Sequence, residues 1–381
     1  MIYLDNAATS FPKPEAVYAA LDQFARHSLA NPGRAGHTMA LAAEHTLDDA
    51  RHRLNRFFNG KNPDRWVFTL NGTDALNMAI KGVLHDGDHV VTTNLEHNSV
   101  SRPLVALAEA GRITLTRVPA DGGGTVDPAA IAAALTEKTR LVAVTHASNV
   151  LGTVQPIAAI GQLVRARDAL FLVDAAQTAG VLPIDVQAMC IDLLAFPGHK
   201  SLLGPTGTGA LYVGSRAQLR PWREGGTGGD SSTPTQPKEY PYYLEGGTPN
   251  VLGIAGLIAG LDFVEERGLD VIHRHEVDLC DQLRMALTEL PGFEVFGHSN
   301  SACRVGTVSF RCQAVPAADL GAILDQSFDI AVRPGLHCSP YIHRSLGSYP
   351  EGLVRVSTGP FNTPAEIQTL IEALREITAG V

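Results

Sequence analysis

The sequence predicts an α/β protein: a mostly parallel central sheet covered by helices, with a smaller α+β layer after it. Three observations carry this expectation. Short apolar runs alternate with helix-length segments from residue 66 onward, the runs are nearly continuous in apolar residues, and after about residue 250 the rhythm changes to long helices. Strands covered on both faces lose the in-and-out alternation of a half-exposed sheet, which is why the second observation selects a parallel sheet. In order, WVFTL from Trp66 reads as a strand, DALNMAIKGVL as a helix, HVVTT as a strand, SRPLVALAEA as a helix and ITLTRV as a strand. RLVAVTH continues the series, followed by a helix from Pro156, whose ring suits a first helical turn, and by LFLVDA. LLAF and GALYV are two further short strands. Past the long helices come the strands TVSF, IAVRP and LVRVS and a last helix from about Pro364.

At 381 residues the chain is longer than one simple core comfortably supports. The expected division is a large domain over 14–255 and a small one from 1–13 plus 256–381, the latter carrying the loop around Cys338. The stretch 223–250, rich in Gly, Pro, Ser and Thr, is too long for an idle connection and reads as a functional loop or a linker. A net charge of −9 with no run of Lys or Arg excludes nucleic acid as a partner. The start, MIYLDNAATS, has an acid at Asp5 and no signal-peptide core. The longest apolar run, VLGIAGLIAGLDFV from Val251, is broken by glycines and too short for a bilayer. A cytoplasmic protein with no membrane partner is expected. The five cysteines (190, 280, 303, 312 and 338) are odd in number and form no CxxC, against a disulfide framework or a bound metal.

Open parallel sheets bind ligands beyond the carboxyl ends of their strands, so the polar residues there are the candidates. HVVTT is followed by Asn94, Glu96 and His97 and RLVAVTH by Ser148 and Asn149; LFLVD ends on Asp174 with Gln177 just after, and LLAF is followed by Gly198, His199 and Lys200. The turn Asn71-Gly72-Thr73-Asp74 opens a helix, whose free N–H groups and dipole suit a phosphate, with Gly72 letting the backbone approach it. GPTGTG and GGTGG do not join a first strand to a helix and argue for no nicotinamide cofactor. Taken singly, Lys200 reads as a solvated lysine, Asp174 as a turn residue, His97 as a structural histidine and Asn149 as a turn former. Together they match the needs of pyridoxal 5'-phosphate: an anion cradle, a carboxylate for the pyridine nitrogen, an imidazole for the ring face and an amine for the aldehyde.

YLDNAATSFPKP, NGTDALNMAIKG, LEHNSV, HASNVLGTVQPI, VDAAQTAG, GHKSLLGPTGTGALYV, EGGTPN and VRPGLHCSP together resemble the cysteine desulfurase family, within the class V aminotransferases of the fold-type I pyridoxal-phosphate enzymes. The similarity runs from residue 3 to about 363. It implies Lys200 as the Schiff-base lysine, Asp174 as partner of the pyridinium nitrogen and His97 stacked on the ring. Gln177 and Asn149 would lie near the ring hydroxyl, Asn149 also near the substrate. Thr73 and His199 would hold the phosphate, with Thr248 reaching that of the other subunit of a homodimer. Arg355 resembles the carboxylate-binding arginine, and Arg34 and His37 stand where the family lines its substrate site. Pro197 departs from the pattern, since relatives commonly carry Ser or Thr before GHK.

A cysteine on a Gly- and Pro-bounded loop, GLHCSP, is poorly placed to be core filling. Cys338 resembles the family's catalytic cysteine, whose thiolate takes sulfur from L-cysteine as a persulfide while L-alanine is released. The loop follows directly on IAVRP, as in the second group of the family, where SufS-type desulfurases and selenocysteine lyases sit and a sulfur-acceptor protein often clears the persulfide. The alternatives are a selenocysteine lyase acting on L-selenocysteine, or a C–S lyase, epimerase or aminotransferase of the same fold in which Cys338 carries no sulfur. The remaining rival is a scaffold without turnover, against which the intact Lys200 and Asp174 stand.

Overall fold

The structure is a computed structural model that describes residues 1–33, 36–228 and 232–379. Its elements begin with β1 (Ile2–Tyr3), α1 (Glu15–His27), α2 (Thr38–Phe57), β2 (Trp66–Thr69), α3 (Gly72–Val83), β3 (Asp88–Thr93), α4 (Asn98–Glu109) and β4 (Ile113–Val118). Next come α5 (Pro128–Ala134), β5 (Thr139–Thr145), α6 (Ile157–Ala166), β6 (Leu170–Asp174), β7 (Leu193–Pro197) and β8 (Gly209–Val213). The chain continues through α7 (Val251–Arg267), α8 (Leu269–Glu289), β9 (Phe293–Phe296), β10 (Thr307–Cys312), α9 (Ala317–Phe328), β11 (Ile330–Ala331) and β12 (Arg333–Gly335). It ends with α10 (Pro340–Ser345), β13 (Leu353–Ser357) and α11 (Pro364–Ala379).

Seven strands form the main sheet in the order β2-β8-β7-β6-β5-β3-β4. Every pairing is parallel except the two made by β8, so β2 and β3 to β7 run the same way and end on one rim. Consecutive residues of a strand enter different cores: Val142, Val144, Phe171 and Val173 pack on one face, Leu141, Ala143, Leu170 and Leu172 on the other. Both faces being dry, each strand reads as an unbroken apolar run, as expected. The helix expected from Pro156 begins at Ile157, with the proline as its N-cap. The helices α1 and α2 pack on α7 and carry weak signals: α1 buries fully only Val17, and α2 buries a stripe, Ala40, Ala43, Leu47, Ala50 and Leu54, that is mostly alanine.

A second, antiparallel sheet, β12-β13-β10-β9, packs Val308, Phe310, Val354 and Val356 against α8 and α11 in a separate core. The segment IAVRP splits into two strands, β11 pairing with β1 and β12 with β13, so the N-terminus joins the C-terminal layer. Among the described residues of 223–250 there is neither helix nor strand. No helix among the described residues is long and apolar enough to cross a membrane.

Glu276 of α8 is 5% exposed, and burial pushes its carboxyl up to about 8. The native state keeps a proton that the unfolded chain releases above about pH 4.5, so this side chain weakens the fold as pH rises from there to about 8. Glu276→Gln, neutral at every pH, is expected to be the more stable protein at pH 7, by up to roughly 3 kcal/mol, and to match the parent near pH 4.5. Urea unfolding at several pH values checks this; a gap that does not change with pH contradicts it.

Candidate active site

The strand ends of the main sheet and one edge of the second sheet enclose a cavity of about 210 Å³. Asn71, Gly72 and Thr73 after β2, His97 and Ser99 after β3, Asn149 after β5, Asp174 and Gln177 at β6, and His199 and Lys200 after β7 line one side. Arg333, His337 and Arg355 close it from the second sheet.

At the start of α3 the Asn71 side chain accepts from the Asp74 N–H (2.9 Å), and helix geometry leaves the first N–H groups without intrahelical acceptors. A Cβ on Gly72 would lie 3.1 Å from Pro197 Cδ, so glycine lets this turn sit against β7. Thr73 Oγ1 and Ser99 Oγ lie 2.7 Å apart, and these two hydroxyls reach the same wall as Pro197, which has none. The Ser99 N–H donates to His97 Nδ1 (3.0 Å), so the neutral ring carries its proton on Nε2. Burial, and then the neighbouring Lys200, hold His97 down at about 4; it is uncharged at neutral pH.

Asp174 ends β6, 4% exposed, its Oδ1 accepting from the Ala176 N–H (2.9 Å). Burial raises its carboxyl, against the opposing pull of that bond and of Lys200. Burial lowers the Lys200 amine to about 8, Asp174 resisting and Arg355 and Arg333 assisting. The N-terminal segment holds the backbone here: Ser10 Oγ donates to the Lys200 carbonyl (2.8 Å), and Lys13 Nζ (2.8 Å) and Thr9 Oγ1 (3.1 Å) to that of His199.

Across the cavity, Arg355 is 1% exposed; Nη2 donates to Asp5 Oδ1 (2.6 Å) and Nη1 to the Asn149 carbonyl (3.0 Å), while its buried Nε has no protein acceptor. The Asn149 amide serves the cysteine loop: Nδ2 donates to the His337 carbonyl (2.6 Å) and Ser339 Oγ donates to Oδ1 (2.7 Å). His337 (φ 50°) and Cys338 (φ 59°) both have left-handed backbone, at a cost of roughly 1–2 kcal/mol per non-glycine residue. Such a pair persists only where its surroundings over-determine it. The Asn98 N–H donates to the Cys338 carbonyl (2.7 Å), and Arg333 Nη2 stands 3.9 Å from Cys338 Sγ.

The structure thus brings Gly72, Thr73, His97, Asn149, Asp174, Gln177, His199, Lys200 and Arg355 to one cavity, with Cys338 one residue from its wall. It places two others elsewhere. Thr248 lines a different cavity of about 290 Å³ with Gly33, Arg51 and Glu245, and His37 caps α2 by accepting from the Ala40 N–H (3.2 Å). Arg34 lies outside the described residues. Sequence reasoning missed Ser99, Arg333, His337 and Asp5 as parts of this site; all four lay inside stretches quoted for other residues.

The pattern of the class-V aminotransferase family ("Aminotransferase class-V") matches residues 2–370. A "Probable cysteine desulfurase" of Methanothermobacter thermautotrophicus is 39% identical over 99% of this chain and 94% of its own length. The chain belongs to the cysteine desulfurase family of class-V aminotransferases. Its fold matches the apo cysteine desulfurase of Thermococcus onnurineus NA1 with a TM-score of 0.94 at 33% identity, covering 100% of this chain and 95% of the other. It matches the cysteine desulfurase CsdA (S-sulfonic acid) of Escherichia coli with a TM-score of 0.90 at 28% identity, covering 100% and 95%. Desulfurases of this family work with pyridoxal phosphate, and the residues present suit that group. The helix start at Gly72 turns free N–H groups toward the cavity, as an anion needs, Asp174 and Lys200 are a desolvated acid and amine in one wall, and Arg355 Nε is a buried donor without acceptor.

Proposed function

We propose that the chain is a pyridoxal-phosphate-dependent cysteine desulfurase that converts L-cysteine to L-alanine and holds the sulfur as a persulfide on Cys338. The observation that carries this is the placement of Cys338, on a loop pinned by Asn149 and Asn98, at the edge of the cavity that holds Lys200 and Asp174. Gly72, Thr73 and His199 would hold the phosphate, Asp174 the ring nitrogen, His97 the ring face, and Gln177 and Asn149 the ring hydroxyl. Bound there, the cofactor supplies a sink for the electron pair left when the substrate loses its α-proton.

The chain's residues do the rest. Arg355 orients the substrate carboxylate, its free Nε being the available donor. Lys200 takes the α-proton; with its amine at about 8, roughly a tenth is neutral at pH 7. The Cys338 thiolate, beside the Arg333 guanidinium, forms an S–S bond to the substrate sulfur while the Cβ–S bond breaks. The pair from that bond goes to Cβ, which is protonated, so alanine is the reduced product and the sulfur on Cys338 the oxidised one.

Thr248 stands apart from this cavity in its own chain, which supports a homodimer in which a second copy brings it to the phosphate. Only Leu336 to Ser339 separate β12 from α10, a short loop that favours the second group of the family, with a sulfur-acceptor protein as partner. The two separately cored sheets support a large and a small domain with 1–13 joining the latter, but α7 packs with the first core, so the boundary lies after α7 rather than at 255; the net charge and apolar pattern support a cytoplasmic site of action.

The test is alanine released from L-cysteine and from L-selenocysteine, with a reductant present, by the parent and by Cys338→Ala. The expected result is alanine from both substrates with the parent, and a loss of at least about 100-fold on cysteine alone in the variant. No alanine from cysteine in either protein would make this a selenocysteine lyase, and pyruvate formed regardless of Cys338 an eliminating enzyme.

A further inference from the structure

Behind the cysteine loop, three side chains that no part of the proposed mechanism uses form a buried hydrogen-bonded line. Ser348 Oγ lies 2.8 Å from His343 Nδ1, His343 Nε2 lies 3.4 Å from His337 Nδ1, and His337 Nε2 lies 2.9 Å from the Arg333 carbonyl. His337 is 4% exposed and His343 fully buried. A carbonyl only accepts, so His337 Nε2 holds a proton and its Nδ1 accepts. His343 Nε2 is then the donor toward His337, the His343 ring also being hydrogen-bonded to the Leu336 backbone of the cysteine loop, and His343 Nδ1 accepts from the Ser348 hydroxyl. One tautomer assignment satisfies the whole line. Burial holds His343 at about 4 and His337 well below its ordinary value, so both rings are neutral at working pH and the line is not broken by charge.

We propose that His343 and Ser348 are positioning residues for Cys338, acting through His337 to hold the cysteine loop and the Arg333 backbone in register. This rests on the desulfurase reading above. The line ties together the first residue of β12, the left-handed pair His337-Cys338, α10 and the turn into β13, where the Ser348 carbonyl accepts from the Gly352 N–H (2.6 Å). Its far end is the main chain of Arg333, the residue whose guanidinium faces the Cys338 sulfur. Without the His343 donor, His337 keeps a buried unpaired Nδ1, or reverses its tautomer and loses the Arg333 carbonyl. Either change loosens the guanidinium from the thiol.

The experiment compares the holoenzyme with His343→Phe and His343→Gln; a glutamine amide can donate where Nε2 did, and phenylalanine cannot. Three readouts are taken: alanine from cysteine, alanine from selenocysteine, and the rate of Cys338 alkylation by iodoacetamide at pH 7. His343→Phe is expected to lower kcat on cysteine at least about tenfold, as small misplacements of a reacting group do, with KM and the selenocysteine reaction within about twofold of the parent. Its rate of Cys338 alkylation at pH 7 should change at least about threefold as the loop and the Arg333 guanidinium lose their register, and His343→Gln should recover most of both effects. A native alkylation rate and native cysteine turnover in His343→Phe overturn the proposal, as does an equal loss on both substrates, which marks a merely structural role. Should that variant not fold, Ser348→Ala decides by the same readouts. If the parent itself makes no alanine from cysteine, the desulfurase reading fails, while the alkylation rates still judge the positioning role.

Discussion

Lys200→Ala is expected to stop alanine release from L-cysteine and L-selenocysteine alike, by at least about 10³-fold, because it removes both the covalent hold on the cofactor and the base for the α-proton. The cavity supplies the reason this lysine and not a surface one serves. An ordinary lysine, with a pKa near 10.5, is neutral to only about three parts in ten thousand at pH 7; held at about 8, Lys200 has roughly 300 times more free amine. The sign gives a pH test. Capture of pyridoxal phosphate by the apo protein should speed up as pH rises through about 8 and then level off, where an unperturbed lysine would go on accelerating toward 10.5. Borohydride reduction should fix the cofactor to the parent and not to Lys200→Ala. A variant that still turns over cysteine, or is still labelled, removes Lys200 from its role.

Asp174→Asn is the second large effect expected: a loss of at least about 100-fold on both substrates, the size seen when one preorganised electrostatic partner is removed. Asparagine keeps the shape of the carboxyl, and its Oδ1 can still accept from the Ala176 N–H, so the turn after β6 is preserved. What it lacks is the negative charge that keeps a ring nitrogen protonated. Losing that charge also withdraws the influence that raises the Lys200 pKa, so the amine midpoint should fall below about 8. Cofactor affinity, the midpoint of cofactor capture and alanine release should therefore all change in Asp174→Asn. Glu276→Gln, whose effect is confined to stability, serves as the control for a buried carboxyl replaced by its amide. Native turnover in Asp174→Asn contradicts the assignment.

Much of this was legible along the chain. An unbroken apolar run reports that both faces of a strand are covered, and in a parallel sheet the residue after such a run must stand on the common rim. His97, Asn149, Asp174 and Lys200 could be placed by that rule alone, and Gly72 and Thr73 by the helix start that follows β2. The helices α1 and α2 escaped because alanine contributes little to an apolar stripe, and IAVRP hid a break because its two halves pair with strands from opposite ends of the chain. Thr248, His37 and Arg34 were assigned by resemblance alone: His37 does not line the cavity, nor does Thr248, which was expected at the site of the other subunit, and Arg34 lies outside the described residues.

Local chemistry, written in periods of two and of about 3.6 residues, was enough for the sheet, its rim and the amine, acid and imidazole on it. Only the tertiary structure decided what those groups are next to. Asp5 meets Arg355 across 350 positions, Asn149 reaches Ser339 across 190, and His343 supports Cys338 through a ring that no spacing rule reveals. The lowered Lys200 amine and the left-handed Cys338 have the same origin. Burial and long-range partners set both, and neither quantity exists until the chain has closed on itself.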